Sequence, residues 1–205
     1  MQHDKKGNIF IISAASGTGK TTLVSRLLHN HADLRVSVSH TTRAPREGEQ
    51  NGVHYHFVSK EAFETLIGQN AFLEHADVFG NYYGTSFQGV ESLINQGLDV
   101  ILEIDVQGAE QVRRALPQAC SIFILPPSFE ILAGRLKGRA TDSEKVINTR
   151  LAKARHEIEQ AAHFDYIVVN DDLAQAEADL LHIIRASRLK KTAQQGFLAN
   201  LLENS

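Results

Sequence analysis

A chain of 205 residues suits one compact core carrying small inserts, and 42% hydrophobic residues suffice for an ordinary buried interior. With 21 basic and 24 acidic residues the formal charge is −3, so the basic excess of a nucleic-acid-polymer binder is missing. A single cysteine, Cys120, excludes an internal disulfide framework and reads as a buried small hydrophobe. No apolar run is long enough to cross a bilayer, and the polar start from Met1 to Asn8 is no signal peptide, so a cytoplasmic protein is expected.

Ile9–Ile12 is a short continuous apolar run, the pattern of a parallel strand buried on both faces. A Gly-rich turn follows, and Thr21–Leu28 then reads as a helix with Leu23, Val24, Leu27 and Leu28 on one face. Residues 36–96 interrupt this rhythm with polar, Gly and aromatic residues, among them Phe72, Phe79 and Tyr82. They are expected to form an inserted lobe with hairpin-like strands and a helix near Lys60–Gln69. Buried strands return at Val100–Ile104, Ile122–Leu125 and Tyr166–Val169. Helical spacing marks Val106–Leu116, Phe129–Lys137, Glu144–Ala162 and Leu173–Lys190. The weakly patterned stretch Lys137–Ser143 suits a flexible cover, and Gln194–Ser205 reads equally as an amphipathic helix or a frayed end. Strands alternating with helices predict an α/β fold, a parallel sheet flanked by helices. The core is expected over 1–35 and 97–205, the lobe over 36–96 and a lid at about 137–150.

Ala14, Ala15, Ser16, Gly17, Thr18, Gly19, Lys20, Thr21 and Thr22 lie between a buried strand and a helix, the setting in which a P-loop match has meaning. Glycines let backbone N–H groups curl around phosphate oxygens, and the helix N-terminus adds positive potential there. Lys20 is placed for the β/γ-phosphates of ATP and Thr21 for Mg²⁺. The pattern expects Gly at position 14, where Ala14 restricts φ.

The runs SVSHTTRAPREGE (37–49), FLE (72–74), GNYYGT (80–85), EIDVQG (103–108), RLKGR (135–139) and VNDD (169–172), with Tyr55, closely resemble the guanylate kinase family. The resemblance spans about Ile9 to Leu189, in order and with compatible spacing. It implies a P-loop NTPase core, an inserted GMP-binding lobe and a lid.

Arg43 and Arg46, with Pro45 stiffening the turn between them, form a fork for a monophosphate dianion. Tyr55 and Tyr83 add hydroxyl donors to the same phosphate. By resemblance Ser39, Glu74 and Thr85 contact the guanine, and a carboxylate suits its N1–H and exocyclic amine. Asp105 stands at a strand's C-terminal end, where open α/β sheets place ligands. By resemblance Glu103 and Asp105 lie near the acceptor phosphate, with Asp105 reaching the metal through water; Glu103 stands where the family usually has Asp. Arg135, Arg139 and Arg150 resemble the family's lid arginines, and Asn170 matches a position near the adenine. His54 and His56 share a strand face, but no third metal ligand is evident.

The residues and the resemblance together imply an enzyme that passes the γ-phosphoryl group of ATP to GMP with Mg²⁺. The rivals are a non-catalytic guanylate-kinase-like interaction domain, against which Lys20, Thr21 and the lid arginines speak, and a kinase for another monophosphate. Oligomeric state is left open, a homo-oligomer included.

Overall fold

A computed structural model describes residues 6–78, 80–137 and 144–203. Five strands, β1 (Ile9–Ala14), β2 (Leu34–Val36), β7 (Asp99–Glu103), β8 (Cys120–Leu125) and β9 (Tyr166–Val169), form a sheet in the order β2-β7-β1-β8-β9. Every pairing in it is parallel. Successive strand side chains point to opposite faces, so both faces need cover. Phe10 and Ile12 of β1 pack with Leu23, Val24 and Leu27 of α1 (Lys20–Asn30) and with Leu180 and Ile184 of α7 (Leu173–Ser187). Ile11 points the other way, into a cluster with Val90 of α3 (Phe87–Asn95) and with Ala109 and Val112 of α4 (Val106–Ala115). Ile122, Phe123 and Ile124 are fully buried, each burial contributing about 1.5–3 kcal/mol.

The second sheet has the order β4-β3-β6-β5, built from β3 (His40–Thr41), β4 (His56–Phe57), β5 (Phe72–Val78) and β6 (Asn81–Ser86). β5 and β6 form an antiparallel hairpin, and β6 also runs antiparallel to β3. Phe63 of α2 (Lys60–Gly68) stacks on Phe72 and Tyr82, giving this sheet an aromatic centre. Side-chain caps start α2, α3, α4 and α7: Ser59 accepts from Ala62 N–H, Ser86 from Gly89 N–H, Asp105 from Gly108 N–H and Asp172 from Gln175 N–H.

A third layer lies over the turn after β1. Ala15 packs with Leu132 and Leu136 of α5 (Phe129–Lys137) and with Ala154 of α6 (Glu144–Glu159). A 3₁₀ turn, Gln160–His163, separates α6 from β9, and the chain's tail is a helix, α8 (Lys191–Glu203).

Candidate active site at the strand ends

The register Ile12 beside Glu103 puts the ends of β1 and β7 side by side, so the loop after β1 faces the acids after β7. Ala14 closes β1 in an extended conformation; among the described residues only Asn70 is a non-glycine at positive φ. A side chain is therefore tolerated at position 14, and the departure from the P-loop pattern costs the loop no φ. The bends fall on Gly17 (φ 88°) and Gly19 (φ 93°), which need glycine. A Cβ on Gly19 would also stand 2.8 Å from Asn170 Nδ2.

The loop is braced from behind. Asn170 Nδ2 donates to the Thr18 carbonyl at 2.8 Å, and Arg135 Nη1 donates to the same oxygen at 3.1 Å. Arg135 Nη2 donates to the Asn170 carbonyl at 3.1 Å. These bonds hold a loop carbonyl outward. On the cleft side Lys20 Nζ donates to the Ile104 carbonyl at 3.1 Å and lies 3.9 Å from Glu103 Oε1. Burial pushes the Lys20 ammonium below its usual range, while the charges of Glu103, Asp105 and Glu157 pull the other way. Thr21, in the exposed first turn of α1 with Thr22, donates to Glu103 Oε1 at 2.6 Å.

Glu74, on β5, is 5% exposed and accepts from Thr85 Oγ1 at 2.7 Å; Ser39 Oγ lies 3.2 Å from that hydroxyl. Burial is the main cause that raises the Glu74 pKa to about 7, and the nearby Asp105 charge adds to it against the Thr85 hydrogen bond. The first turn of α4 closes on this carboxylate, and a Cβ at Gly108 would stand 2.7 Å from Glu74 Oε2. Arg43 Nη2 donates to Glu49 Oε1 at 2.8 Å, and the guanidinium lies 5.5 Å from the centre of the Tyr55 ring. Arg46 bonds Glu49 through its backbone N–H at 2.7 Å, while its side chain is exposed. The Arg43 hydrogen bond, then the Arg46 backbone bond, hold the Glu49 carboxyl at about 2. The Tyr55 and Tyr83 rings meet edge to face at 5.9 Å.

A family model described as Guanylate kinase matches residues 6–187. The chain belongs to the guanylate kinase family. The guanylate kinase of Neisseria gonorrhoeae is 75% identical over 201 residues, which are 98% of this chain and 98% of that protein. The guanylate kinase of Shewanella violacea is 53% identical over 204 residues, covering 95% of this chain and 99% of that protein. The crystal structure of guanylate kinase from Anaplasma phagocytophilum matches with a TM-score of 0.74 at 34% identity, over 92% of this chain and 90% of that one.

Within this guanylate kinase fold, a cleft of about 670 Å³ gathers Lys20, Thr21, Glu103 and Asp105 from the core with Ser39, Tyr55, Glu74 and Tyr83 from the second sheet. Arg43 and Thr85 stand one contact behind it, through Glu49 and Glu74. Arg46, Arg135, Arg150 and Asn170 are not among its lining residues. Arg150 lies on α6, and Arg139 falls outside the described residues. His54 Nδ1 accepts from Gln50 N–H at 3.0 Å, and His56 packs on His40 at 4.7 Å.

Sequence reasoning passed over Glu49, Lys153 and Glu157, which line the same cleft. Glu49 carried one signal, its place three residues after Arg46 across Gly48, which turns at φ 82°. It also passed over Ser37, a cleft residue 5% exposed, whose buried hydroxyl has no partner among the described residues.

Proposed function

We propose that the chain transfers the γ-phosphoryl group of ATP to GMP, giving ADP and GDP. One observation carries this reading: the phosphate-loop cation Lys20 and the buried carboxylate Glu74 line a single cleft. Phosphoryl transfer asks the protein for alignment, charge stabilisation and exclusion of water. The loop from Ala14 to Thr22 receives the triphosphate, with Lys20 on the transferring oxygens and Gly17 and Gly19 letting backbone N–H groups approach. Glu74 accepts from guanine N1–H and the exocyclic amine, with Ser39 and Thr85 completing the base contacts. Arg43, Arg46, Tyr55 and Tyr83 hold the acceptor phosphate, which is already anionic and needs no strong general base. Arg135 and Asn170 keep the loop in shape, and Arg139 and Arg150 are the lid arginines that the family resemblance implies.

The oxygens of Thr21, Glu103 and Asp105 fit Mg²⁺, a hard cation that keeps several waters and takes few protein ligands. Bound there with ATP, Mg²⁺ would supply positive charge that offsets the negative charge of the phosphates. No helix among the described residues is long and apolar enough to cross a membrane. The lone thiol of Cys120 and the two nucleotide substrates favour a cytoplasmic setting.

ADP release measured with GMP, dGMP, AMP, CMP and UMP in turn, with and without Mg²⁺, tests this reading. GMP should be turned over far faster than AMP and the pyrimidine monophosphates, and only with the metal. Equal rates across the bases would overturn the assignment of Glu74.

A further inference from the structure

Helix α6 meets the phosphate loop through one face. Arg150, Lys153, Ala154 and Glu157 are spaced i, i+3, i+4 and i+7, so they lie along the same side. Ala154 is fully buried against the layer that includes Ala15. One turn further, Glu157 Oε2 accepts from the Ser16 N–H of the loop at 3.2 Å. Its other oxygen, Oε1, lies 3.8 Å from Lys153 Nζ. The Glu157 side chain is 13% exposed, against 63% for Glu159 two residues on, so it is not an ordinary solvated acid. Withdrawing a carboxylate from water is unfavourable unless its oxygens have partners; here a loop amide donates to one, and the Lys153 ammonium, on a side chain 59% exposed, stands at ion-pair distance from the other. Lys153 and Glu157 both line the cleft that holds Lys20.

We infer that Glu157 is a positioning residue for phosphoryl transfer: it fastens α6 to the phosphate loop at Ser16 and sets the Lys153 ammonium on the cleft, facing the phosphates. The ammonium then adds positive charge where negative charge is handed from donor to acceptor. The inference rests on residues 14–21 being the donor phosphate loop, so the test carries a separate arm for that reading.

The experiment is a double-mutant cycle on the full chain with Glu157→Ala, Lys153→Met and the pair, assayed well below each variant's Tm. Rates are normalised to the ATP-binding stoichiometry from calorimetry, so that misfolded protein is not counted. Each single change should lower kcat about tenfold with the KM for GMP within about twofold, and the double variant should be no worse than either single one. Glu157→Gln keeps the acceptor for the Ser16 N–H but loses the charge, and should fall between wild type and Glu157→Ala. A purely structural role gives a lower Tm with wild-type normalised kcat, or effects that multiply across the cycle, and either result overturns the inference. Lys20→Ala is run beside them. If it keeps normal turnover, the phosphate-loop reading fails; if it is inactive while the Glu157 and Lys153 variants behave as wild type, only the role of Glu157 fails.

Discussion

Replacing Glu74 by Gln should make the protein more stable and less able to use GMP. The carboxyl is 5% exposed, and burial lifts its pKa from 4.5 to about 7. A shift of that size corresponds to about 3 kcal/mol against the ionised form in the folded chain. The folded state holds the proton more tightly than the unfolded chain does. Stability therefore falls as pH rises from about 4.5, where the unfolded chain ionises, to about 7, where the folded carboxyl follows, and is level above. Gln keeps an acceptor for the Thr85 hydroxyl and carries no charge. The variant should gain nothing at the acid end of that window and about 1–3 kcal/mol at its upper end, or several degrees in Tm.

The same change should cut kcat/KM for GMP at least tenfold and narrow the GMP/AMP ratio, since an amide meets only half of guanine's donor edge. On the proposed function the guanine takes the ionised form, so GMP affinity should weaken by about tenfold per unit as pH falls below about 7. Urea or thermal unfolding across pH, beside kcat/KM for GMP and AMP at saturating MgATP, reads all three effects. A stability difference independent of pH would refute the buried-carboxylate argument, and an unchanged GMP/AMP ratio would remove Glu74 from the base pocket.

Lys20→Ala should remove most of kcat while GMP binding by calorimetry stays near wild type, because the ammonium acts chiefly on charge that develops during transfer; weakened GMP binding with kcat intact would contradict it. Arg43→Ala or Arg46→Ala should weaken GMP by about 1.5–3 kcal/mol with ATP affinity unchanged, and Lys at either place should restore only part because it lacks the planar fork. Gly19→Ala places a Cβ at φ 93° and 2.8 Å from Asn170 Nδ2. It should cost about 1–2 kcal/mol in urea unfolding and raise the KM for ATP; a variant of wild-type stability would mean that the loop bends elsewhere.

The parts visible in the sequence are those whose physics is local. Ile9–Ile12 is apolar at every position because β1 is covered on both faces, and helix spacing over Phe129–Lys137 ends where α5 ends. The edge strand β2 escaped notice because it is three residues long with Arg35 at its centre, and its pairing partner β7 lies far along the chain. The position of α3 was equally hidden: its Val90 packs into the core cluster beside Val112, a tertiary contact. The resemblance makes Arg135 a lid arginine, and in the structure its guanidinium bonds the Thr18 and Asn170 carbonyls. No sequence spacing encodes that choice, because both acceptors are backbone atoms brought in by the fold.

Glu49 and Glu103 share a logic that ties the two halves of the cleft together. Each carboxylate holds a cation that the proposed function gives to phosphate: Glu49 takes Arg43, and Glu103 lies beside Lys20. Left alone in a half-buried site, those donors would be unsatisfied and their side chains free to turn away. Held by an acid, each is kept from turning away and stands ready for the phosphate oxygens of the proposed function. On that proposal a nucleotide exchanges one anion for another at these positions, and its net affinity is smaller than the number of contacts suggests. That suits a transfer enzyme, whose cations must serve substrate and product phosphates in turn and release both. It also explains why a surface-looking acid such as Glu49 sits inside the arginine turn, where a count of positive charge alone would leave it out.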